Sequence, residues 1–445
     1  MTMTTVRLRR LAASAALAAT VGLTTLAVPV TASAAPPQTA LPQTAQAQAA
    51  ATWLAGQINA SGYIPAATPG TADLGATANA VLALASAGVG SAKAQSALSY
   101  LEANVASYVN VSGSDGPGQL ALLILDAHAL GVSPTSFGGT DLVSRLLGTQ
   151  RTTGADAGLF GAQDPTYDGA YRQGLALAAL AAVGQTSGTT VSGATSWLTA
   201  QQCPDGGWTS YIASTNPCNG KPAQFEGPDT NSTAVAVEGL EAQHALSGAA
   251  ATKALKFLTK AQNADGGWGY EPDTARAPGS TDPDSTALVF QALLALGTPP
   301  STAKLSAAAD PVSVLESFQI TSGGSTGALQ FPGIAGPNLL ATYEAVPALA
   351  GVTFAYDLGT PAVTHVGPAK GTTAGGTTVK IQGSGFTEAT AVHFGSTAAT
   401  AVTVVSSTSM TAVSPAGSAG TVDVTVTSPT GTSPVTTTDH FTYKA

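Results

Sequence analysis

The feature that most constrains the fold is a short segment that occurs twice in nearly the same form. Gln202–Trp208 reads QCPDGGW and Gln262–Trp268 reads QNADGGW. Two glycines after an aspartate supply the left-handed backbone that ends a helix, and the glutamine can bond the main-chain groups freed there. The tryptophan can fill the seam between neighbouring structural units. A segment repeated in this way predicts a domain built from similar units.

The sequence around these segments also repeats, between Ala49 and Gly351, with a period of about 40 to 60 residues. Each unit contains an amphipathic segment, a glycine-rich turn and then an almost wholly apolar segment. In the fifth unit, residues 251–262 carry leucine and alanine on one face and lysine on the other, whereas residues 285–296 read STALVFQALLAL. The first segment therefore predicts a helix with one face in water, and the second predicts a helix buried on every side.

Similar apolar segments mark inner helices in the other units, at Thr77–Ala85, Gln119–Leu130, Gln173–Ala182, Thr233–Leu240 and Asn338–Ala348. Six outer and six inner helices predict an (α/α)6 toroid over residues 49–357. The Gln-x-x-Asp-Gly-Gly-Trp segments resemble the repeats of squalene–hopene cyclases, of protein prenyltransferase β subunits and of the α domain of transcobalamin and intrinsic factor. This resemblance implies the toroid fold but little about activity, because these proteins include cyclases, transferases and carriers.

From residue 361 the composition changes to threonine, valine and glycine with a two-residue alternation, which predicts antiparallel strands. The segments Val363–Pro368, Gly375–Phe386 and Phe441–Tyr443 resemble those of an IPT/TIG domain. The resemblance implies a small immunoglobulin-like β-sandwich over residues 361–445. On exported proteins such a domain serves as a spacer or a docking module.

The N-terminus has the pattern of a secretory signal peptide. Three arginines within the first ten residues precede an apolar run from Leu11 to Val30 and a small-residue site, Ala32-Ser33-Ala34. We expect a signal peptide over residues 1–34 and a linker over residues 35–48. A retained membrane anchor would need a longer apolar run, and the two adjacent arginines leave the export route open.

The charge balance excludes some partners. The chain has 16 basic and 25 acidic residues and a net charge of −9, and removal of the leader makes this about −12. No basic cluster remains that could neutralise phosphates, so no nucleic-acid partner is expected. No apolar run after the leader reaches membrane-spanning length. These features predict a monomeric protein that is secreted, either extracellular or associated with the cell wall.

The two cysteines, Cys203 and Cys218, lie in one loop-like stretch. Because an exported protein meets an oxidising environment, we expect a disulfide between them. A zinc site built on two thiolates would need further ligands nearby, and the sequence offers no metal-site spacing. No metal site is predicted.

The inner helices of the fourth and fifth units begin at aspartates. Asp229 opens the fourth, and Asp282-Pro283-Asp284 in the fifth resembles the acid motif of class II terpenoid cyclases, with Ser285 in place of its last aspartate. The resemblance would make Asp284 the proton donor and Asp282 its neighbour. The alternative is helix capping, which the recurrence of Asp-x-x-x-Thr-Ala in three units favours. The three aspartates remain weak catalytic candidates, and cyclase or prenyltransferase activity is not expected.

Long loops follow the two Gly-Gly-Trp turns, over residues 209–228 and 269–281, and we expect them at one mouth of the toroid. Aromatic and polar residues of these loops and of the third unit could line a ligand site there. Some of the aromatic residues could instead serve packing alone. The candidate binding residues are Trp208, Tyr211, Phe225, Trp268, Tyr270, Tyr167, Tyr171, Arg172 and Glu271.

These observations favour a binding protein whose toroid holds a small molecule, with a corrinoid as one concrete candidate, or a cell-surface glycan. The first alternative is an extracellular hydrolase or lyase that acts on carbohydrate, with candidate residues Tyr167, Asp168, Tyr171, Arg172, Glu226 and Asp229. The second is a surface scaffold for protein contacts. Polar residues within the inner helices, such as Asp126 and Glu238, must find partners in a network or in a ligand.

Overall fold

The computed structural model describes most of the chain after the predicted leader. The described residues are 45–111, 113–161, 168–212, 218–219, 227–272, 281–298, 310–354, 361–384, 386, 389, 391–406, 409–428 and 431–444. The predicted signal peptide and most of the predicted linker lie outside them. Within these ranges, no helix is long and apolar enough to cross a membrane.

The first part of the chain is a succession of outer and inner helices. The outer helices are α1 (Ala45–Gln57), α3 (Ser91–Ala103), α6 (Leu142–Gly148), α8 (Thr189–Ala200), α10 (Gly248–Ala261) and α12 (Pro311–Ser317). The inner helices are α2 (Leu74–Ala87), α5 (Pro117–Ala129), α7 (Ala170–Ala182), α9 (Thr230–Ala242), α11 (Pro283–Ala295) and α13 (Leu339–Leu349). One further short helix, α4 (Val105–Val109), lies between α3 and α5.

The inner helices form a closed ring. Each packs against the next along the chain, and α13 packs against α2. Each outer helix contacts the inner helix of the preceding unit, and α1 accordingly contacts α13. The predicted (α/α)6 toroid is therefore confirmed. Its first helix begins at Ala45, inside the stretch that the sequence analysis assigned to the linker.

Helices α7 and α9 approach each other closely because each carries a glycine at the crossing. A Cβ atom on Gly174 would collide with the main chain at Val235, and one on Gly239 would collide with the main chain at Gly174. The absence of both side chains brings the two helix backbones into direct contact. This crossing fixes the side of the ring between the third and fourth units.

Glutamine side chains connect one unit to the next. The Nε2 atom of Gln202 donates to the main-chain oxygens of Gly206 and of Ala250, which lies in the next outer helix, at 3.0 Å each. Gln150 does the same with Gly158 and with Thr190. The bonds to Gly206 and Gly158 satisfy carbonyl groups in the turns, as the repeated motif predicted, and the bonds to Ala250 and Thr190 join each turn to the first turn of the next outer helix.

The two tryptophans of the repeated motif are structural. Trp208 and Trp268 are fully buried, and their indole N–H groups donate to the main-chain oxygens of Leu198 and Leu258, at 2.8 Å each. Their main-chain N–H groups donate to Oγ1 of a threonine in the following inner helix, at 2.9 and 3.1 Å. These bonds join the outer and inner helices of the same unit, which confirms a packing role, whereas the predicted place at the seam between units stays a prediction. Their assignment as ligand contacts is corrected, because neither ring reaches a solvent-accessible surface.

Among the described residues, ten strands form the C-terminal domain, after four two-residue strands within the toroid. The short strands are β1 (Asn110–Val111), β2 (Ser114–Asp115), β3 (Trp208–Thr209) and β4 (Pro228–Asp229). The strands of the C-terminal domain are β5 (Ala362–Gly367), β6 (Lys370–Thr372), β7 (Thr378–Ser384), β8 (Ala391–Phe394), β9 (Thr397–Ala398), β10 (Ala401–Ser406), β11 (Ser409–Val413), β12 (Gly420–Ser428), β13 (Gly431–Thr432) and β14 (His440–Lys444).

These strands form two sheets. One has the order β10-β11-β7-β5, and the other has the order β6-β14-β12-β8-β9, with β13 also paired to β12. The pairs are antiparallel except β6 with β14. Alternate residues of both sheets, such as Ile381, Val424 and Phe441, form one buried core. This arrangement confirms the predicted β-sandwich.

Candidate functional site

A cavity of about 230 Å³ lies within the ring of inner helices. Its lining residues on α2, α5, α7 and α13 lie mostly in the first two turns of those helices, so the cavity is at the end of the ring where the inner helices begin. Leu82, Leu122 and Leu175 form an apolar part of its wall. The polar and aromatic lining residues are Asn79, Tyr108, Gln119, Tyr171, Arg172, Tyr343, Glu344 and Phe354.

Three tyrosines surround the cavity. Burial raises the pKa of Tyr108, Tyr171 and Tyr343, so their hydroxyl groups keep their protons and can donate hydrogen bonds. For Tyr171, the next causes of the raised pKa are the neighbouring Glu344 and Tyr343, followed by Glu238 and Asp284. Side chains from α7, α9, α11 and α13 therefore meet inside the ring.

A basic side chain reaches the cavity from the first turn of α7. Nη1 of Arg172 donates to Oδ1 of Asp168 at 3.0 Å, and Asp168 is buried. The pair links the loop before α7 to the helix and holds the guanidinium in one position. Because Asp168 offsets the charge of Arg172, this pair offers hydrogen-bond donors without a net positive charge.

Two carboxyl groups in and near the cavity have raised pKa values. Burial raises the pKa of Glu344, and Asp284 and then Asp282 raise it further. Burial, followed by the charge of Asp282, raises the pKa of Asp284 to about 7. Oδ1 of Asp284 is buried and has no hydrogen-bond partner within the described ranges. Near neutral pH these groups can therefore donate as well as accept hydrogen bonds.

Two further carboxyl groups are buried deeper in the ring. Burial raises the pKa of Glu238 to about 8, and its Oε2 accepts a hydrogen bond from the main-chain N–H of Phe354 at 2.9 Å. Asp126 lies one turn beyond the cavity residue Leu122 on α5 and is fully buried, and burial raises its pKa well above the usual value. Neither oxygen of Asp126 has a hydrogen-bond partner among the residues described. The interior of the ring is thus rich in acids that are largely uncharged.

The aspartates that open the inner helices act as caps. Oδ1 of Asp229 accepts from the main-chain N–H of Ser232, and Oδ1 of Asp282 accepts from that of Ser285, at 2.7 Å each. The second oxygen of Asp229 accepts from Oγ of Ser210 at 2.7 Å. Burial raises the pKa of Asp229 to about 6. These contacts bear out the capping interpretation, and neither Asp229 nor Asp282 lines the cavity.

The structure brings together only some of the predicted site residues. Tyr171 and Arg172 line the cavity, whereas Tyr211, Tyr270 and Glu271 are not among its lining residues. Ser210 connects Tyr270 to Asp229, with 2.5 Å between its Oγ and the tyrosine hydroxyl. The predicted contacts Tyr167 and Phe225, and the hydrolase candidate Glu226, lie outside the described residues.

Sequence reasoning did not identify Tyr108, Tyr343 and Glu344. The signal that could have found two of them was the polar pair Tyr343-Glu344 in the otherwise apolar segment of the sixth inner helix, because packing alone does not need such a pair.

The predicted disulfide is confirmed, since Cys203 and Cys218 are bonded with their Cα atoms 5.5 Å apart. The cavity is smaller than the roughly 300–1,000 Å³ typical of pockets for drug-sized ligands, so it is too small to enclose a corrinoid.

Comparisons with known proteins support both parts of the chain. Residues 140–282 match the squalene-hopene cyclase C-terminal domain, and residues 361–443 match the IPT/TIG domain. No curated protein sequence matches the chain.

Several solved structures are similar to the chain at low sequence identity. An unsaturated glucuronyl hydrolase from a Bacillus species is 16% identical, with a TM-score of 0.47, over 68% of this chain and 95% of its own. An inactive variant of an α-1,6-mannanase of a Salegentibacter species is 13% identical, with a TM-score of 0.47, over 69% and 98%. A type II terpene cyclase from Scytonema is 15% identical, with a TM-score of 0.45, over 68% and 96%.

The repeats, the closed ring and the matched regions agree with one another. The chain therefore combines a helical toroid, which matches the squalene-hopene cyclase C-terminal domain over its third to fifth units, with a C-terminal IPT/TIG domain.

Proposed function

We propose that the toroid binds one sugar unit of a glycan in the cavity of its inner ring. The observation that carries this proposal is the lining of the cavity, in which three tyrosines stand beside Asn79, Gln119, Arg172 and Glu344. A sugar ring has apolar faces and a rim of hydroxyl groups. Tyrosine rings suit the faces, while amide, guanidinium and carboxyl groups can bond the hydroxyls.

The charges near the cavity favour a neutral ligand. Arg172 is paired with Asp168, and Glu344 has a raised pKa because of burial. An anionic ligand would find no unpaired cation among the cavity residues, and a volume of about 230 Å³ favours a ligand smaller than a corrinoid. A protonated carboxyl group can both donate to and accept from a hydroxyl group, which a sugar offers in both roles.

We also propose that the protein acts outside the cell, with the IPT/TIG domain as a spacer or docking module. The N-terminal pattern of a signal peptide supports this location. The disulfide between Cys203 and Cys218 supports it independently, because disulfides persist in oxidising compartments.

A glycan array probed with the full chain tests the binding function, followed by calorimetric titration with the strongest oligosaccharide. Replacing Tyr343 by Ala should weaken its affinity at least tenfold, because the variant removes one wall of the cavity. Tyr100→Ala is the matched control, since Tyr100 lies on the outer helix α3 against Tyr63, does not line the cavity and should leave affinity unchanged. A folded Tyr343→Ala variant that binds like the wild type would refute the site.

A second candidate function, glycan hydrolysis, rests on Asp284 and Glu344. Because the charge of Asp284 raises the pKa of Glu344, one of the two groups can be ionised while the other keeps its proton. The protonated group could donate to a glycosidic oxygen, and the ionised one would complete the pair that most glycosidases use. Incubation of the bound glycan with wild type, Asp284→Asn and Glu344→Gln separates the functions. Cleavage that either substitution abolishes supports hydrolysis, and binding without any product leaves a carrier or receptor.

A further inference from the structure

Three potential metal ligands, Asp423, Asp439 and His440, lie together in the C-terminal domain and are not part of the toroid cavity. Strands β12 and β14 are antiparallel neighbours, and Asp423 on β12 is directly opposite His440 on β14. Asp439 immediately precedes β14. One carboxylate oxygen of each aspartate and a ring nitrogen of His440 all lie within 4.8 Å of one another. The ion pair within this group has 3.3 Å between Nε2 of His440 and Oδ1 of Asp423.

Asp439 gives independent evidence that this group accepts a ligand. The residue is 0% exposed, and its Oδ2 accepts hydrogen bonds from the main-chain N–H of Thr436 at 2.7 Å and from Oγ1 of Thr436 at 3.3 Å. Its Oδ1 is buried and has no hydrogen-bond partner in the described part of the chain. A buried carboxylate oxygen without a partner is costly, and a bound cation would satisfy it.

We propose that Asp423, Asp439 and His440 bind one divalent transition-metal ion of the zinc class. Two carboxylates and one imidazole are ligands that zinc accepts, and zinc sites with three protein ligands keep a fourth position for water. Calcium prefers six to eight oxygen ligands, to which an imidazole does not belong. The sequence analysis predicted no metal site, because Asp423 and His440 become neighbours only when β12 and β14 pair.

The surroundings of the three residues fit this role. The side chains of His440 and Asp423 are 46% and 40% exposed, so an ion can enter from solvent without any opening of the domain. The main-chain N–H of Thr436 donates to Oδ2 of Asp439 and so orients the carboxylate, as hydrogen-bond partners of metal ligands commonly do. A bound ion would join the last strand of the chain to β12 and raise the stability of the domain.

Equilibrium dialysis of the full, tag-free chain against zinc chloride, after removal of metal with a chelator, tests the proposal. Elemental analysis should find one zinc ion per chain. His440→Ala and Asp439→Asn should each weaken binding at least tenfold. His365→Ala is the matched control, because His365 is an exposed histidine of the same domain on β5 and should leave zinc binding unchanged.

Cobalt(II) absorption gives a second readout, since its visible bands report on the ligands. The bands should appear with the wild type and with His365→Ala, and they should be lost with His440→Ala. If Asp439→Asn does not fold, the exposed positions 440 and 423 still decide the result through His440→Ala and Asp423→Asn. Wild type that binds no zinc, or zinc binding that His440→Ala leaves intact, would overturn the proposal.

Discussion

The side chain of Gln319 donates a hydrogen bond from Nε2 to the main-chain oxygen of Gln46, 273 residues earlier in the sequence, at 2.9 Å. The same Nε2 atom also donates to the main-chain oxygen of Gly327 at 2.8 Å. Gln319 thus does at the junction of the sixth and first units what Gln202 does between the fourth and fifth. The bond closes the toroid with the same chemistry that joins its consecutive units.

Gln319→Ala should lower the free energy of unfolding by about 1–3 kcal/mol, because it removes the two hydrogen bonds that its side chain donates to Gln46 and Gly327. Chemical denaturation measures this. Gln57→Ala is the control, since the side chain of Gln57 donates to Trp53 within its own helix, and its loss should cost less than about 1 kcal/mol. Equal effects of the two substitutions would show that the closing bond adds nothing to stability.

Gly174→Ala should destabilise the protein by about 1–3 kcal/mol, because its new methyl group would meet the main chain of α9. Gly56→Ala provides the opposite case in α1, where an added Cβ meets nothing within 4 Å. That substitution should be neutral or stabilising by up to about 1 kcal/mol. Thermal unfolding of both variants checks the pair, and a tolerated alanine at position 174 would mean that α7 and α9 can move apart freely.

Glu238→Gln should change how stability depends on pH. Because burial raises the pKa of Glu238 from 4.5 to about 8, the folded state binds the proton more tightly than the unfolded state does. The stability that this group contributes is complete below about pH 4.5 and is lost as pH rises towards 8. The variant has no proton to lose, and its amide oxygen can still accept from Phe354.

The free energy of unfolding of Glu238→Gln minus that of wild type should therefore be larger at pH 8 than at pH 5, by at least about 1.4 kcal/mol. Urea denaturation at both pH values measures this difference. Glu102→Gln, in the outer helix α3, is the control and should shift both values equally. A difference between Glu238→Gln and wild type that does not change with pH would contradict the buried, protonated state.

Removal of the disulfide should lower stability by roughly 3 kcal/mol, the chain-entropy value for a loop of about 15 residues. The two cysteines are 15 positions apart, and Cys203 lies at the turn of the fourth unit. Thermal unfolding of wild type with and without reductant should show the loss. The double variant Cys203→Ala/Cys218→Ala should start at the lower stability and should not respond to reductant.

The fold was predictable because local and long-range signals agree in the fourth and fifth units. Gly-Gly-Trp marks the turn, and the threonines four residues after Asp229 and Asp282 hold the tryptophan N–H groups. Only part of the site was predictable. Tyr171 and Arg172 were identified, but Tyr343 and Glu344 were missed because the sixth unit lacks Gly-Gly-Trp and its inner helix is brought beside α2 only by ring closure.

The misassigned tryptophans show a second limit. A large aromatic residue beside a predicted opening is compatible with a ligand wall or with packing, and sequence spacing does not say which way the ring points. Each indole N–H donates to a main-chain oxygen of the preceding outer helix, which shows that the two rings serve packing. The metal ligands proposed in the C-terminal domain were hidden for a related reason, since strand register and not sequence distance makes Asp423 and His440 neighbours.

The contact between α13 and α2 limits how this domain can evolve. An open array of repeats can gain or lose a unit and keep the remaining interfaces. In this chain, duplication or deletion of one unit would separate α13 from α2 and expose two apolar helix faces at once. A change of sequence within one unit need not open the ring, since α12 and α13 still close it although Gln319–Leu329 departs from the Asp-Gly-Gly-Trp pattern.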